Sequence, residues 1–418
     1  MILKLARKSL WNRRGTAILT LVSLAISVAL ILGINHLRHQ AKQSFTSTIS
    51  GTDLIVGARS GQANLLLYSV FRIGNATNNI SRESYEAIKK SRDIEWTIPL
   101  SLGDSHRGFR VLGTDHNYFD HYRYGDRRAL AFSAGGPFSS IYETVLGAQV
   151  ARELGYTIGQ EIVIAHGLGD VSFSMHDDKP FTVVGILEPT GTPVDRTVHV
   201  RLEGIEAIHL GWQHGARMPG RGVSAEEALQ RELEPEAITA FLVGLKSRMA
   251  TFRLQRAINE YRKEALTAIL PGVALAELWD VLGMVENMLI VVAFLVLLAT
   301  LVGMTTTLLS SMKERQRELA ILRAVGAHAG YLFALIEIEA LLLAAAGVAF
   351  GILLLSLSLF MLQPWLAAEY GLFISANPLN SEALLITAGV MLLAALLSLI
   401  PAMVAYRRAL ADGLSVRL

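Results

Sequence analysis

KERQRELAILRAVGAHAGYLFALIEIEALLLAAAGVAFG, residues 313–351, opens with six charged residues in its first eleven positions and then turns apolar, with only Glu337 and Glu339 interrupting. Helical spacing puts Arg315, Leu319, Leu322 and Gly326 on one stripe. Ile321 and Val325 extend its apolar side, while Lys313, Glu314, Arg317 and Glu318 crowd the first turns. Gly326 is the natural stop for this short helix. Two long uncharged runs flank it, 287–312 before and 340–368 after. A charged helix held between two membrane spans cannot leave the bilayer surface, so a force applied to it reaches both spans. A solvated loop that merely carries positive charge is the simpler reading. The apolar stripe argues against it, because exposed apolar surface calls for a protein or lipid partner.

Outward from this stretch the chain reads as a membrane protein. Apolar residues make up 52% of 418, and four runs contain no Asp, Glu, Lys or Arg: 15–35, 287–312, 340–368 and 383–406. Each reaches the roughly 20 residues that cross about 30 Å of hydrocarbon. The first has a basic flank like a secretory signal, but it is too long for one and lacks a small-residue cleavage site, so it reads as an uncleaved anchor. Lys4, Arg7, Lys8, Arg13 and Arg14 precede it. Lys313, Arg315, Arg317 and Arg323 follow the second run, and Arg407, Arg408 and Arg417 follow the fourth. Between the third and fourth stand only the acids Glu369 and Glu382. The positive-inside rule then makes both termini and the 313–329 segment cytoplasmic. The expected order is a cytoplasmic amphipathic helix at 1–14, a first span at 15–37 and an extracytoplasmic domain at 38–280. A second span with its stalk follows at 281–312, then the linker helix at 313–329, spans at 330–363 and 383–406 around a short outer loop at 364–382, and a tail at 407–418. Ile2, Leu3, Ala6 and Leu10 share a face with Lys4 and Lys8 turned away, which fits either a helix lying on the inner leaflet or an ordinary basic flank.

The fold class is therefore four transmembrane α-helices with a large α+β domain inserted between the first two. Within that domain 53–57, 94–102, 109–114, 161–165, 171–175, 181–187 and 197–202 have strand character. A helix capped by Ser81 is expected to about Lys90, with others over 144–154, 204–210 and 249–269. The Gly- and Arg-rich piece 211–224 lacks periodicity and reads as a mobile loop. Strand–helix units at both ends predict two related subdomain pieces around a more β-rich insertion.

Catalytic chemistry finds no foothold. No GxxxxGK[ST] loop is present. The nearest piece, Gly57-Ala58-Arg59-Ser60-Gly61, lacks the lysine and, by pattern, a following helix. No GxSxG nucleophile is present either. Eight histidines fall in the inserted domain, His106, His116, His121, His166, His176, His199, His209 and His214, without metal-ligand spacing. Surface or structural roles are expected for them. The chain has no cysteine, hence no disulfide, and its formal charge of +2 is positional, which argues against nucleic acid. Glu337 and Glu339 sit one to two turns into the third span. They would snorkel to the interface or pair with an arginine of the preceding loop, since a proton relay would want a partner that the other spans do not offer.

The linker resembles a known family. A charged E-R-x-x-E-like start, I-L-R-A-(L/V)-G-A, and a span opening on glutamate and continuing into glycines form the core pattern of ABC transporter permeases of the FtsX, MacB and lipoprotein-releasing type. Here that pattern is Glu314-Arg315-Gln316-Arg317-Glu318-Leu319-Ala320-Ile321-Leu322-Arg323-Ala324-Val325-Gly326-Ala327, then Glu337 or Glu339, Gly347 and Gly351. Pro401-Ala402 and Ala405-Tyr406-Arg407-Arg408-Ala409 resemble the family's C-terminal end. The segments 53–57, 145–155 and 181–187, with Thr190-Gly191-Thr192-Pro193, resemble the MacB-type periplasmic domain. MacB's fused ATPase has no counterpart in these 418 residues, so the resemblance implies that a partner would supply it.

The resemblance implies a non-catalytic subunit in a bacterial inner membrane, with no cofactor of its own and ATP and Mg on a partner ATPase dimer. Glu314, Arg315, Arg317, Glu318, Leu322, Arg323 and Gly326 would dock into that ATPase. It further implies a second permease copy, identical or different, and a periplasmic adaptor or lipoprotein as a further partner. Force would be relayed through stalk helices to the external domain for export or extraction of a substrate. A lipoprotein-releasing role and a membrane-anchored signalling or scaffold protein are the alternatives.

Overall fold

The computed structural model describes residues 2–414 apart from 167–178, 211, 214–215, 218–222, 232, 315, 371–374 and 376. Residues 43–47, 166, 212–213, 216–217, 313–314, 316–319, 364, 367–370 and 408–414 are described by backbone alone. The expected strand at 171–175 and His176 and His214 lie outside the described residues. The chain divides into a helical unit (Met1–Ala41, Leu282–Trp365, Ile374–Leu418) and a mixed unit (Lys42–Val281 with Leu366–Phe373).

In the helical unit α1 is Ile2–Asn12, and the four apolar runs lie in α2 (Arg14–Thr48), α10 (Pro271–Glu314), α12 (Ala329–Tyr370) and α13 (Ser381–Leu414). Each contains a stretch long and apolar enough to cross a membrane. All four helices outrun their uncharged windows. α12 continues to Tyr370, beyond the expected end at 363 and past Pro364. On α2, Leu24, Ala25, Val28 and Leu32 are buried, while Ile18, Leu19, Val22 and Ile26 are exposed. Its buried stripe faces α12, where Gly347 and Gly351 lie one turn apart. A Cβ at Gly347 would come within 2.6 Å of Leu24 Cδ2, and one at Gly351 within 2.8 Å of the Ala25 carbonyl oxygen. Small residues four apart allow backbones to approach where lipid provides no hydrophobic drive. Ser27 and Thr300 share a hydroxyl hydrogen bond of 2.9 Å between α2 and α10.

The mixed unit is built on one long sheet. Its principal strands are β1 (Leu54–Ala58), β2 (Ile94–His106), β3 (Phe109–Thr114), β4 (Phe132–Gly135), β5 (Glu143–Leu146), β6 (Phe181–Leu187), β7 (Thr197–Arg201), β8 (Ala240–Leu245) and β9 (Leu266–Ile269). They lie in the order β9-β1-β8-β2-β3-β7-β5-β6-β4. The 13-residue β2 joins the halves. Residues 94–100 pair antiparallel with β8, and 101–106 pair with β3, with a register shift between Leu102 and Ser105. The first half combines chain from both ends of the domain, since β1 lies between β8 and β9. The second half is the inserted stretch, where β3–β7 and β5–β6 run parallel.

The domain's described α-helices are α3 (Gln62–Ser69), α4 (Arg82–Lys89), α5 (Asn117–His121), α6 (Ala148–Leu154), α7 (Leu202–His209), α8 (Ala225–Leu229) and α9 (Thr251–Asn259); α3 to α7 and α9 pack against strands of this sheet. Ser81 caps α4, accepting the Ser84 N–H, and donates its hydroxyl to Glu264 at 2.7 Å. The Thr190-Gly191-Thr192 turn is held by buried Asp195, whose carboxylate accepts from the Thr190 and Gly191 backbones, both at 2.8 Å. Burial nevertheless keeps that carboxyl above its ordinary range.

Four expectations differ. Residues 144–154 are not one helix: Thr144-Val145-Leu146 is the fully buried part of β5, and α6 starts after Gly147. A Cβ at Gly147 would meet the Val194 and Asp195 carbonyls at 2.3 and 2.5 Å, which fixes glycine at the turn. Residues 249–269 are likewise split, with α9 ending at Asn259 and Leu266–Ile269 forming the edge strand β9. A helix does follow Gly61, namely α3, and Leu65, Leu66 and Tyr68 bury it in the core. The 211–224 stretch includes a short antiparallel pair, Trp212–Gln213 with Ala216–Arg217, and Ser224 forms a capping box with Glu227 at the start of α8.

Candidate functional site

α11, Gln316–Ala324, is a separate nine-residue helix between α10 and α12. Its C-terminus is a Schellman motif. The Ala327 N–H donates to the Leu322 carbonyl at 3.0 Å and the Gly326 N–H to that of Arg323 at 2.9 Å. Gly326 has φ +103°, and nothing lies within 4 Å of its would-be Cβ, so conformation rather than space requires glycine there. The chain then turns into α12, whose first turn is capped by His328: its Nδ1 accepts the Tyr331 N–H at 3.1 Å.

Leu322 and Arg323 are half-buried, whereas Ile321 and Val325, one turn apart, are 63% and 84% exposed. Arg315 lies outside the described residues, and Glu314, Arg317 and Glu318 are described by backbone alone. The three helix ends flanking α11 share a small core in which Met312 of α10, Ile336 of α12 and Ala402 and Ala405 of α13 are buried together, with Phe333 against them. A displacement of either end of α11 is therefore felt by packed side chains rather than by a slack loop.

The two glutamates lie close behind. At positions i and i+2 they point to different sides of α12. Glu337 Oε1 accepts the Ser398 hydroxyl of α13 at 2.8 Å. Glu339, 1% exposed, is ion-paired at 3.2 Å with Arg13, the residue between α1 and α2, which also donates to Ser9. The side chains of Arg315 and Arg317, in the loop before the span, lie outside the described residues, and the described arginine that meets Glu339 is thus N-terminal. Its separation of 326 positions puts it beyond any local pattern, as is Ser398.

Two of the domain's histidines, His106 and His199, are buried and held in place by packing. His106 is held by the Val163 carbonyl at 2.6 Å and the Tyr156 hydroxyl at 2.9 Å. His199 is enclosed, and burial pulls its pKa down to about 3. Among the described residues no group of three His, Cys, Asp or Glu could hold a metal.

Residues 17–260 match the model of the MacB-like periplasmic core domain, and 290–410 match that of the FtsX-like permease C-terminal domain. The chain belongs to the MacB/FtsX-like family of ABC transporter permeases. α11 and both glutamates fall inside the second match. No curated protein matches the permease significantly. The periplasmic region of MacB from Actinobacillus actinomycetemcomitans is 12% identical, covering 55% of this chain and 94% of its own, at a TM-score of 0.35. The extracellular domain of the noncanonic ABC-type transporter YknZ from Gram-positive bacteria is 13% identical, covering 52% and 99%, at a TM-score of 0.31. The permease is a membrane protein with an α+β domain between its first and second spans.

Proposed function

We propose that this permease relays ATP hydrolysis on a separate cytoplasmic ATPase to the inserted domain, to drive export or extraction of a substrate outside the inner membrane. The observation that carries this is α11: a short charged helix, rigidly stopped at Gly326, presenting Ile321 and Val325 as an apolar pair to whatever covers it. A lone solvated loop gains nothing from that pair, whereas a groove on a partner does. In the sequence Glu314, Arg315, Arg317, Glu318 and Arg323 make this segment charged, and the half-buried Leu322 would anchor the helix from its inner side. Two permease copies would engage two ATPases, with Mg and ATP held on the latter. α10 supports a mechanical relay because it is one helix of 44 residues, about 66 Å long at 1.5 Å per residue.

The test is copurification of the ATPase with the full-length permease, together with its stimulated turnover. Ile321→Asp and Val325→Asp each place a charge in an apolar contact and should weaken assembly by at least about tenfold, an effect of roughly 1.4 kcal/mol. Arg323→Ala should lower turnover more than assembly. Wild-type assembly and turnover in all three variants would sink the assignment.

A further inference from the structure

A second place in the molecule is organised for binding. On the inserted domain a cleft of about 820 Å³ opens over the β2–β8 pair, within the size range of small-molecule sites. Trp96 forms its floor, paired across the strands with Gly244. A Cβ at Gly244 would lie 2.0 Å from the indole, so the ring lies across the glycine. His121 stacks on the indole at 5.2 Å with 10° between the planes. Floor and wall are thus fixed by packing.

Two separate segments border this floor with cations. Arg123 and Arg127 come from the 123–129 hairpin, and Lys246 and Arg248 come from the turn after β8. Only two carboxylates, Asp53 and Glu95, line the same opening, and Asp53 already accepts the Leu245 N–H at 2.8 Å. Arg123 donates to the Tyr122 carbonyl and Lys246 to that of Arg92, at 2.9 and 3.1 Å, so neither is committed to a carboxylate. The guanidinium groups of Arg127 and Arg248 have no hydrogen-bond or ion-pair partner among the described residues. The local excess of two positive charges equals the formal charge of the whole chain, +2. Arg127 also sits at φ +60°, one of three described non-glycine residues with positive φ. That conformation is strained for an L-residue, and such strain collects where a side chain must be aimed.

Like-charged side chains converging on one opening repel each other until an anion joins them. Guanidinium forks match phosphate oxygens bidentately. A single small carboxylate would occupy one fork and leave the others unmet. We propose that this cleft binds a phosphate ester, either the headgroup of a phospholipid or a soluble ester, over the Trp96–His121 stack.

The experiment titrates full-length permease in phosphate-free dodecyl maltoside micelles with sn-glycerol 3-phosphate and, separately, with soluble dihexanoyl phosphatidylglycerol, by calorimetry and tryptophan fluorescence. Saturable binding is expected for at least one probe. The double variant Arg127→Ala/Arg248→Ala should weaken it by about tenfold or more, while Lys90→Ala and Arg262→Ala, exposed elsewhere on the domain, should leave it unchanged. Trp96→Phe should abolish the fluorescence change. Equal affinity for both probes assigns a soluble ester, and binding of the lipid alone assigns a headgroup. Silence from both probes overturns the proposal. So does unchanged affinity in a normally melting double variant, or displacement by glutarate at the same concentration as inorganic phosphate.

Discussion

Replacing Gly351 by alanine tests the packing of the first and third spans directly. The added Cβ would lie 2.8 Å from the Ala25 carbonyl oxygen and 2.9 Å from Val28 Cβ and Cγ1. Ordinary contacts begin near 3.4 Å, so α2 and α12 must part by about half an ångström or more, and the oxygen belongs to backbone that cannot rotate aside. Overpacking of this kind costs about 1–3 kcal/mol, while exchanging glycine for alanine within a helix returns about 0.8–1.0 kcal/mol. The cleanest comparison is with Gly389→Ala and Gly303→Ala, where nothing lies within 4 Å and only the gain applies. Unfolding in micelles, followed by tryptophan fluorescence, should therefore separate Gly351→Ala from Gly389→Ala by about 1–3 kcal/mol, with the two variants moving in opposite directions or the first near zero. Gly347→Ala should fall between them, because its contacts of 2.6 and 2.7 Å are to Leu24 Cδ2 and Cγ, which can partly yield, while Leu24 Cβ at 3.0 Å cannot. Gly33→Ala, at 3.3 Å from Leu355 Cδ1, should be near neutral. The chain has no cysteine, so Leu24→Cys/Gly347→Cys can be crosslinked without background, and it should oxidise readily. If Gly351→Ala and Gly389→Ala stabilise equally, and that cysteine pair stays reduced, the close approach of these spans is refuted.

Other outcomes follow from the same geometry. Arg13→Ala breaks the ion pair with the buried Glu339 carboxylate and should cost up to about 3–5 kcal/mol, whereas Arg13→Ala combined with Glu339→Gln should cost less than the sum of the two single changes; additive losses in a double-mutant cycle would deny the pair. Gly326→Ala forces an L-residue to φ +103°, so hydrogen exchange of the α11 amides should quicken by about five- to tenfold, matching about 1–1.4 kcal/mol. His199 is held neutral by burial, its pKa falling to about 3 from 6.5, so the unfolded chain binds the extra proton between those values. The domain should then lose stability as pH falls below 6.5, and His199→Phe should flatten that loss. Asp115 acts oppositely: burial raises its carboxyl to about 7 from 3.8. The folded state therefore holds its proton longer, and stability falls as pH rises across that window. Asp115→Asn should remove that second slope in pH-dependent melting curves and leave the first.

What the sequence made legible was governed by local or compositional rules. Uncharged runs locate spans because desolvating a charge in hydrocarbon is costly wherever it occurs, and Gly326 marks a helix stop because φ +103° excludes most other residues. Alternation and capping were sufficient for β3, β6 and α4. The failures share one physical origin. Thr144-Val145-Leu146 is central in the sheet, flanked by β7 and β6 and buried on both faces, so its apolar run has no alternation to separate it from the helix that follows. Leu266–Ile269 becomes a strand because β1 offers it an edge, with Ile55 opposite Ile269, and four residues cannot show a period. Glu339 was recognisable as costly, but its cost is met by Arg13, a residue whose own setting reads only as topology signal. The cleft cations were equally invisible, since Arg123 and Arg127 meet Lys246 and Arg248 only because β2 brings its Trp96 beside Gly244 of β8. In this permease, therefore, the chemistry most worth testing lies where long-range pairing places charges that no local pattern explains. That is why the Arg13–Glu339 cycle and the Arg127/Arg248 titration discriminate between mechanisms more sharply than any substitution within the linker motif.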